Sequence, residues 1–85
     1  MRLFYSDLFL KNAKLLPVAE QKKLAKLLEL LAQEVFHPLL HTKKLKAELL
    51  GSYSFRITRD WRVIFRRSDP IVILIDVLHR KDAYR

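Results

Sequence analysis

The run Ser52-Tyr53-Ser54-Phe55-Arg56-Ile57-Thr58-Arg59-Asp60-Trp61-Arg62-Val63-Ile64-Phe65-Arg66 alternates twice. Tyr53, Phe55 and Ile57 share one parity, with Ser52, Ser54, Arg56 and Thr58 between them. Beyond Arg59-Asp60, Trp61, Val63 and Phe65 alternate with Arg62, Ile64 and Arg66. Successive side chains of a strand point to opposite faces, so this period of two predicts two half-buried strands. Their aromatic and β-branched content agrees, and Thr58-Arg59-Asp60 reads as a short hairpin loop. One face of the ribbon is then oily, while the other carries Ser54, Arg56, Arg62 and Arg66. A sheet face with several arginines and one aliphatic residue is no core; it is a surface built to meet anions.

Working towards the N-terminus, Gly51 is the only glycine and marks the turn into the first of these strands. Before it, Leu39 to Leu50 reads as a basic connector with His41, Lys43, Lys44 and Lys46, and a helical turn is expected at its end. Leu24, Leu27, Leu28, Leu31 and Val35 follow helical spacing and predict a helix from about Val18 to Val35. A leucine stripe of this length is read as a helix packed on a sheet rather than as a coiled-coil seam. A shorter helix over Leu8, Phe9, Ala13, Leu15 and Leu16 is expected, with Ser6 as its N-cap and Asp7 in the first turn. Pro17 stops it and opens the next helix. Leu3-Phe4-Tyr5 is a candidate strand.

Towards the C-terminus, Ser68-Asp69-Pro70 reads as a turn. Ile71 to Leu78 is a strand apolar on both faces, interrupted by Asp76 and hence central in its sheet. A polar segment from His79 to Arg85 follows. The predicted class is α+β in the order β-α-α-β-β-β: a helical hairpin packed on one face of a small, mostly antiparallel four-stranded sheet. The last strand is expected between the first and Trp61–Arg67, with Ser52–Thr58 at an edge.

The length predicts a single domain over residues 1–85. Half the residues are hydrophobic, enough for one core and against disorder. The absence of cysteine excludes disulfides, thiolate catalysis and Cys-ligated metal, and suits a reducing cytoplasm. No apolar run approaches the ~20 residues that span a bilayer, and the N-terminal run is cut short by Asp7, so a soluble protein without a signal peptide is expected. A formal charge of +8, from 17 Lys and Arg against 9 Asp and Glu, points to a polyanionic partner.

Arg56 and Arg62 share a face, and Arg80 joins them if its parity in the last strand is outward. Guanidinium forks match phosphate oxygens, and three of them can hold one backbone phosphate and the charge that develops when it is attacked. His79 and Tyr84 are the candidates for proton transfer beside them. Lys43, Lys44, Lys46, Ser54 and Lys81 are candidate RNA contacts, the lysines acting by electrostatic attraction to a backbone. His37 and His41, four apart across a proline and without a carboxylate or cysteine nearby, make a poor metal site, and no metal is expected. With one glycine, nucleotide-binding fingerprints are excluded, and no cofactor is expected.

The runs Leu50-Gly51-Ser52-Tyr53-Ser54-Phe55-Arg56-Ile57 and Asp60-Trp61-Arg62-Val63-Ile64-Phe65, followed by Asp76-Val77-Leu78-His79-Arg80-Lys81-Asp82-Ala83-Tyr84, resemble the RelE/ParE superfamily of bacterial and archaeal toxins. The resemblance covers the whole chain in element order and the C-terminal half in motif. It implies a RelE-like, microbial-RNase-like fold and a toxin of a type II toxin–antitoxin pair. The RelE branch cleaves mRNA in the ribosomal A site without metal, leaving a 2′,3′-cyclic phosphate or 3′-phosphate and inhibiting translation. Its active-site positions fall on Arg56, Arg62, Arg80 and Tyr84. Ser54 stands where RelE itself has a lysine, and His79 is the expected replacement for its proton-transfer role. The resemblance also implies an acidic antitoxin that covers the basic face. ParE-like members offer the alternative: they share the fold but poison DNA gyrase by binding.

Overall fold

A computed structural model describes residues 1–46 and 51–83, with the backbone alone at 82 and 83. The elements run β1 (Arg2–Tyr5), α1 (Asp7–Ala13), α2 (Val18–Gln33), a 3-10 turn (Pro38–Leu40), β2 (Lys43–Lys44), β3 (Ser52–Arg56), β4 (Trp61–Ser68), β5 (Ile71–His79) and α3 (Arg80–Ala83). The sheet order is β1-β5-β4-β3-β2, parallel only between β1 and β5. The last long strand lies between β1 and β4, as expected, although with five strands the middle of the sheet is β4. The helical turn expected at the end of the basic connector lies outside the described residues.

Two expectations change. The sheet has five strands rather than four, and β3 is not an edge, because β2 pairs along it. The connector carries its own apolar anchors: Leu40 and Leu45 are buried on either side of Lys43–Lys44, and the Leu45 N–H donates to the Ser52 carbonyl (2.9 Å). Those anchors draw the lysines alongside β3. A two-residue edge bearing exposed lysines also resists pairing with another chain.

Ser6 caps α1 with an extended backbone (φ −70°, ψ 158°), its hydroxyl accepting from the Phe9 N–H (3.0 Å). The same hydroxyl donates to the Ile75 carbonyl (2.7 Å). This second bond matters because the strand register of β1 ends at Tyr5, opposite Leu74; the Ser6 N–H still donates to the Leu74 carbonyl (3.0 Å), and its hydroxyl then reaches the next carbonyl of β5. Asp76 serves the same edge: its Oδ1 accepts from the Val77 N–H (2.7 Å) and from Asn12 Nδ2 (2.6 Å) on α1. Ser6→Ala removes the cap and strands a strand carbonyl, so it should cost about 2 kcal/mol. A thermal melt should show Tm falling by roughly 10 °C; an unchanged melt would mean that water replaces both bonds.

In α2, Leu24, Leu27 and Leu31 are buried with Leu28 beside them, followed by Val35 past the helix end. They pack on Phe55, Val63, Phe65, Val72, Leu74 and Val77, with Phe9 and Leu16 closing the core from the α1 side. Leu15, assigned to the inner face of the first helix, is 75% exposed, because α1 ends at Ala13 and Leu15 follows in the turn to Pro17. Leu8 is exposed too, next to the inward-facing Phe9.

A bulge decides the rest. Phe65 pairs with Leu74 but Ile64 pairs with Asp76, so Ile75 is an extra residue on β5. Val72 and Leu74 face the helices before it and Val77 after it, which reverses the parity of the strand. Leu74 and Leu78, of one parity in the sequence, therefore lie on opposite faces. The outward face of β5 is also not covered throughout, since Ile73 is 43% exposed.

At the far end of β4, Arg67 Nε and Nη2 donate to the two Asp69 carboxylate oxygens (2.7 and 3.2 Å), while its guanidinium lies 5.2 Å from the Phe36 ring centroid. The Asp69 carboxyl is held below its usual range chiefly by that hydrogen bond, which outweighs the opposing desolvation, with the Arg67 charge adding a smaller push in the same direction. A carboxyl depressed in the fold stabilises it above its unfolded pKa, and the contribution is lost as pH falls through the lowered value. The pair is exposed, so this effect is small.

Candidate active site

The register builds the site on the sheet face away from the helices. Arg56 and Arg62 are direct partners across β3 and β4, and Ser54 faces Ile64 one step along. Lys43 of β2 pairs with Ser54, which brings it to the same face. Arg62 pairs with Leu78 of β5, so the outward parity after the bulge runs Asp76, Leu78 and on to Arg80. Like charges placed directly opposite in a sheet repel. An exposed face that sets Arg56 against Arg62 and adds Arg80 is therefore arranged for an anion rather than for stability.

These residues line a cleft of about 550 Å³, within the ~300–1,000 Å³ range of ligand sites. Arg56, Arg62, Arg80, Ser54 and Lys43 are joined there by His41 and Arg59, and no described carboxylate lines it. Backbone contacts hold the walls. Arg62 Nη1 donates to the carbonyls of Thr58 (2.8 Å) and Arg59 (3.2 Å), tying the guanidinium to the β3–β4 turn. The Arg80 N–H donates to the Asp60 carbonyl (2.5 Å), fastening the end of β5 to the same turn. Ser54 is buried at 1% exposure and leaves the floor low where a longer side chain would fill it.

The structure thus brings together Arg56, Arg62, Arg80, Ser54 and Lys43. It places His79 elsewhere: His79 pairs with Trp61 in register, and the two rings meet edge to face with centroids 5.1 Å apart. Trp61 packs against the core, so His79 lies on the helix side of the sheet, and its Nδ1 accepts from the Lys81 N–H (3.4 Å). Lys44, Lys46 and Lys81 are exposed and do not line the cleft. Tyr84 lies outside the described residues. His41 and Arg59 were not singled out for this site. Arg59 was legible as the middle of a loop joining two arginine-bearing strands; His41 was not, because its place depends on the unforeseen pairing of β2.

A helical hairpin on one side of a mixed sheet and an arginine-lined cleft on the other is the arrangement of a toxin of the RelE/ParE kind. The chain matches, over residues 3–84, the family model described as the ParE toxin of type II toxin–antitoxin systems, parDE, and it belongs to that family. A comparison with curated proteins finds no match. Among solved structures it is similar to YafQ from E. coli strain BL21(DE3), at 19% identity and a TM-score of 0.82, covering 99% of this chain and 98% of that one. It is similar to the RelB–RelE antitoxin–toxin complex from Methanococcus jannaschii, at 23% identity and a TM-score of 0.78 over 95% and 94% of the chains. A YoeB–YefM complex from Staphylococcus aureus aligns at 21% identity and a TM-score of 0.76 over 91% and 93%. At these identities the likeness is one of fold.

Proposed function

We propose that this toxin is an endoribonuclease that cuts mRNA in the ribosomal A site by metal-independent attack of a 2′-hydroxyl on the adjacent phosphate, and so stops translation. The observation that carries the reading is the convergence of Arg56, Arg62 and Arg80, from β3, β4 and the end of β5, on one cleft that no described carboxylate lines. RNA cleavage of this kind needs a proton removed from the 2′-oxygen, negative charge held on the phosphorane, and a proton delivered to the 5′-oxygen. The arginines answer the second need with charged, forked donors, of which the Arg62 guanidinium is already tied to the β3–β4 turn. Tyr84, at the family's tyrosine position, is a candidate for one of the proton transfers. Lys43, with Lys44, Lys46 and Lys81 outside the cleft, attracts the RNA backbone. The site of action is the cytoplasm, where translating ribosomes are.

A net charge of +8 also fits a cognate acidic antitoxin that covers this face. The similar RelE and YoeB structures are of complexes with the antitoxins RelB and YefM. The match to a family model named for ParE favours a second reading, in which the chain poisons DNA gyrase by binding. One experiment separates them. Purified toxin added to translating ribosomes should cut mRNA at A-site codons and leave a 2′,3′-cyclic phosphate or 3′-phosphate. Intact mRNA together with gyrase-linked DNA breaks in expressing cells would establish the second reading instead.

A further inference from the structure

Of the three histidines, only His41 lines the arginine cleft. The others are engaged elsewhere: His37 Nδ1 accepts from the Leu39 N–H (3.1 Å), and His79 lies against Trp61. His41 is also the one non-glycine residue with a left-handed backbone among the described residues (φ 50°, ψ 46°). Histidine enters that region more readily than most side chains, and residues held there cluster at functional sites. Its neighbours fix it. Leu40 before it is fully buried, Thr42 after it donates to the Val35 carbonyl (2.5 Å), and its own N–H donates to the Pro38 carbonyl (3.3 Å). A strained, anchored backbone thus carries an exposed imidazole at the rim of the cleft.

We infer that His41 is the general base of the cleft, taking the proton from the attacking 2′-hydroxyl of the RNA. The inference rests on the ribonuclease reading above. In the step, the 2′-oxygen–phosphorus bond forms as the phosphorus–5′-oxygen bond breaks. The 2′-hydroxyl proton passes to the neutral imidazole, the departing 5′-oxygen takes a proton from water, and the resulting hydroxide returns the imidazole to its starting state. The charged side chains lining the cleft with His41 are Lys43, Arg56, Arg59, Arg62 and Arg80. Lysine and arginine ordinarily keep their charge between pH 5 and 8, whereas imidazole exchanges a proton there. Of these side-chain types imidazole is the one that most often serves as a general base, so His41 is the group on which removal of the 2′-hydroxyl proton should depend.

The test is single-turnover cleavage of mRNA on programmed ribosomes across that pH range. Asparagine and glycine both tolerate a left-handed backbone, so His41→Asn and His41→Gly should preserve the fold. His41→Asn should slow cleavage by about 100-fold or more, as loss of a general base does. It should also abolish the rise in rate with pH while leaving ribosome binding unchanged, and added imidazole should restore cleavage by His41→Gly. Wild-type protein that cleaves while His41→Asn matches its rate and pH profile would overturn the assignment and leave the ribonuclease reading standing. So would an equal loss of binding and cleavage, which marks a contact residue. Wild-type protein that cuts no mRNA overturns the ribonuclease reading and the assignment with it.

Discussion

Arg80→Ala toxin should leave mRNA on the ribosome uncut while melting at the temperature of the wild type. The two halves of that result come from different atoms. Arg80 fastens β5 to the β3–β4 turn through its backbone N–H, which donates to the Asp60 carbonyl and survives truncation of the side chain. The guanidinium is exposed in the cleft. Removing one preorganised donor to a developing oxyanion typically costs 10²–10³ in rate, and the loss should be of about that size or larger. Arg62→Ala should lose cleavage to a similar degree but also lower Tm, because Arg62 Nη1 bonds the Thr58 and Arg59 carbonyls. Roughly 1 kcal/mol of stability should go with those bonds. Lysine at position 80 keeps the charge without the fork and should recover only part of the rate. If Arg80→Ala cleaves as the wild type does, the cleft does not hold the scissile phosphate.

Much of this is legible in the parity of Ser52 to Arg66 alone. It identified both strands of the ribbon, separated Phe55, Val63 and Phe65 from Arg56 and Arg62, and thereby defined an oily and a cationic face. Ser6 and Pro17 were equally legible, since a hydroxyl before an acidic first turn and a proline between helices each act locally. Long-range pairing was not legible. β2 has two residues, too few for any period to register, and its burial comes from Leu40 and Leu45 on either side. The bulge at Ile75 broke the counting rule that had worked in the ribbon, because one extra residue exchanges the faces of a strand. His79 fell to the same rule applied strictly: adjacent strand residues point opposite ways, so the outward parity that suits Arg80 turns His79 towards Trp61.

The largest effect on stability should come from the other side of the same strand. Phe65 is wholly buried in β4, one residue from the exposed Arg66, and its ring stacks on Tyr53 (centroids 5.6 Å, 19°) and tilts against Phe55 (6.1 Å, 49°). Phe65→Ala deletes the middle ring of that stack and opens a cavity that backbone-paired strands on both sides cannot collapse into. The cost should be roughly 3–5 kcal/mol. Domains of this size hold a stability near the lower end of the usual ~5–15 kcal/mol. The loss therefore takes a large share of it and should lower Tm by roughly 15–30 °C. Phe65→Leu, which keeps most of the volume, should lose much less. In a denaturant titration, a change below about 1 kcal/mol for Phe65→Ala would show that the core can close around the missing ring. Set beside Arg80→Ala, the pair tests the division of the sheet itself. Cleavage by Phe65→Ala at low temperature should follow the fraction folded, whereas Arg80→Ala should be fully folded and inactive. A Phe65→Ala protein that is folded yet catalytically dead would mean that the helix-facing side of β4 sets the geometry of the arginines on the other.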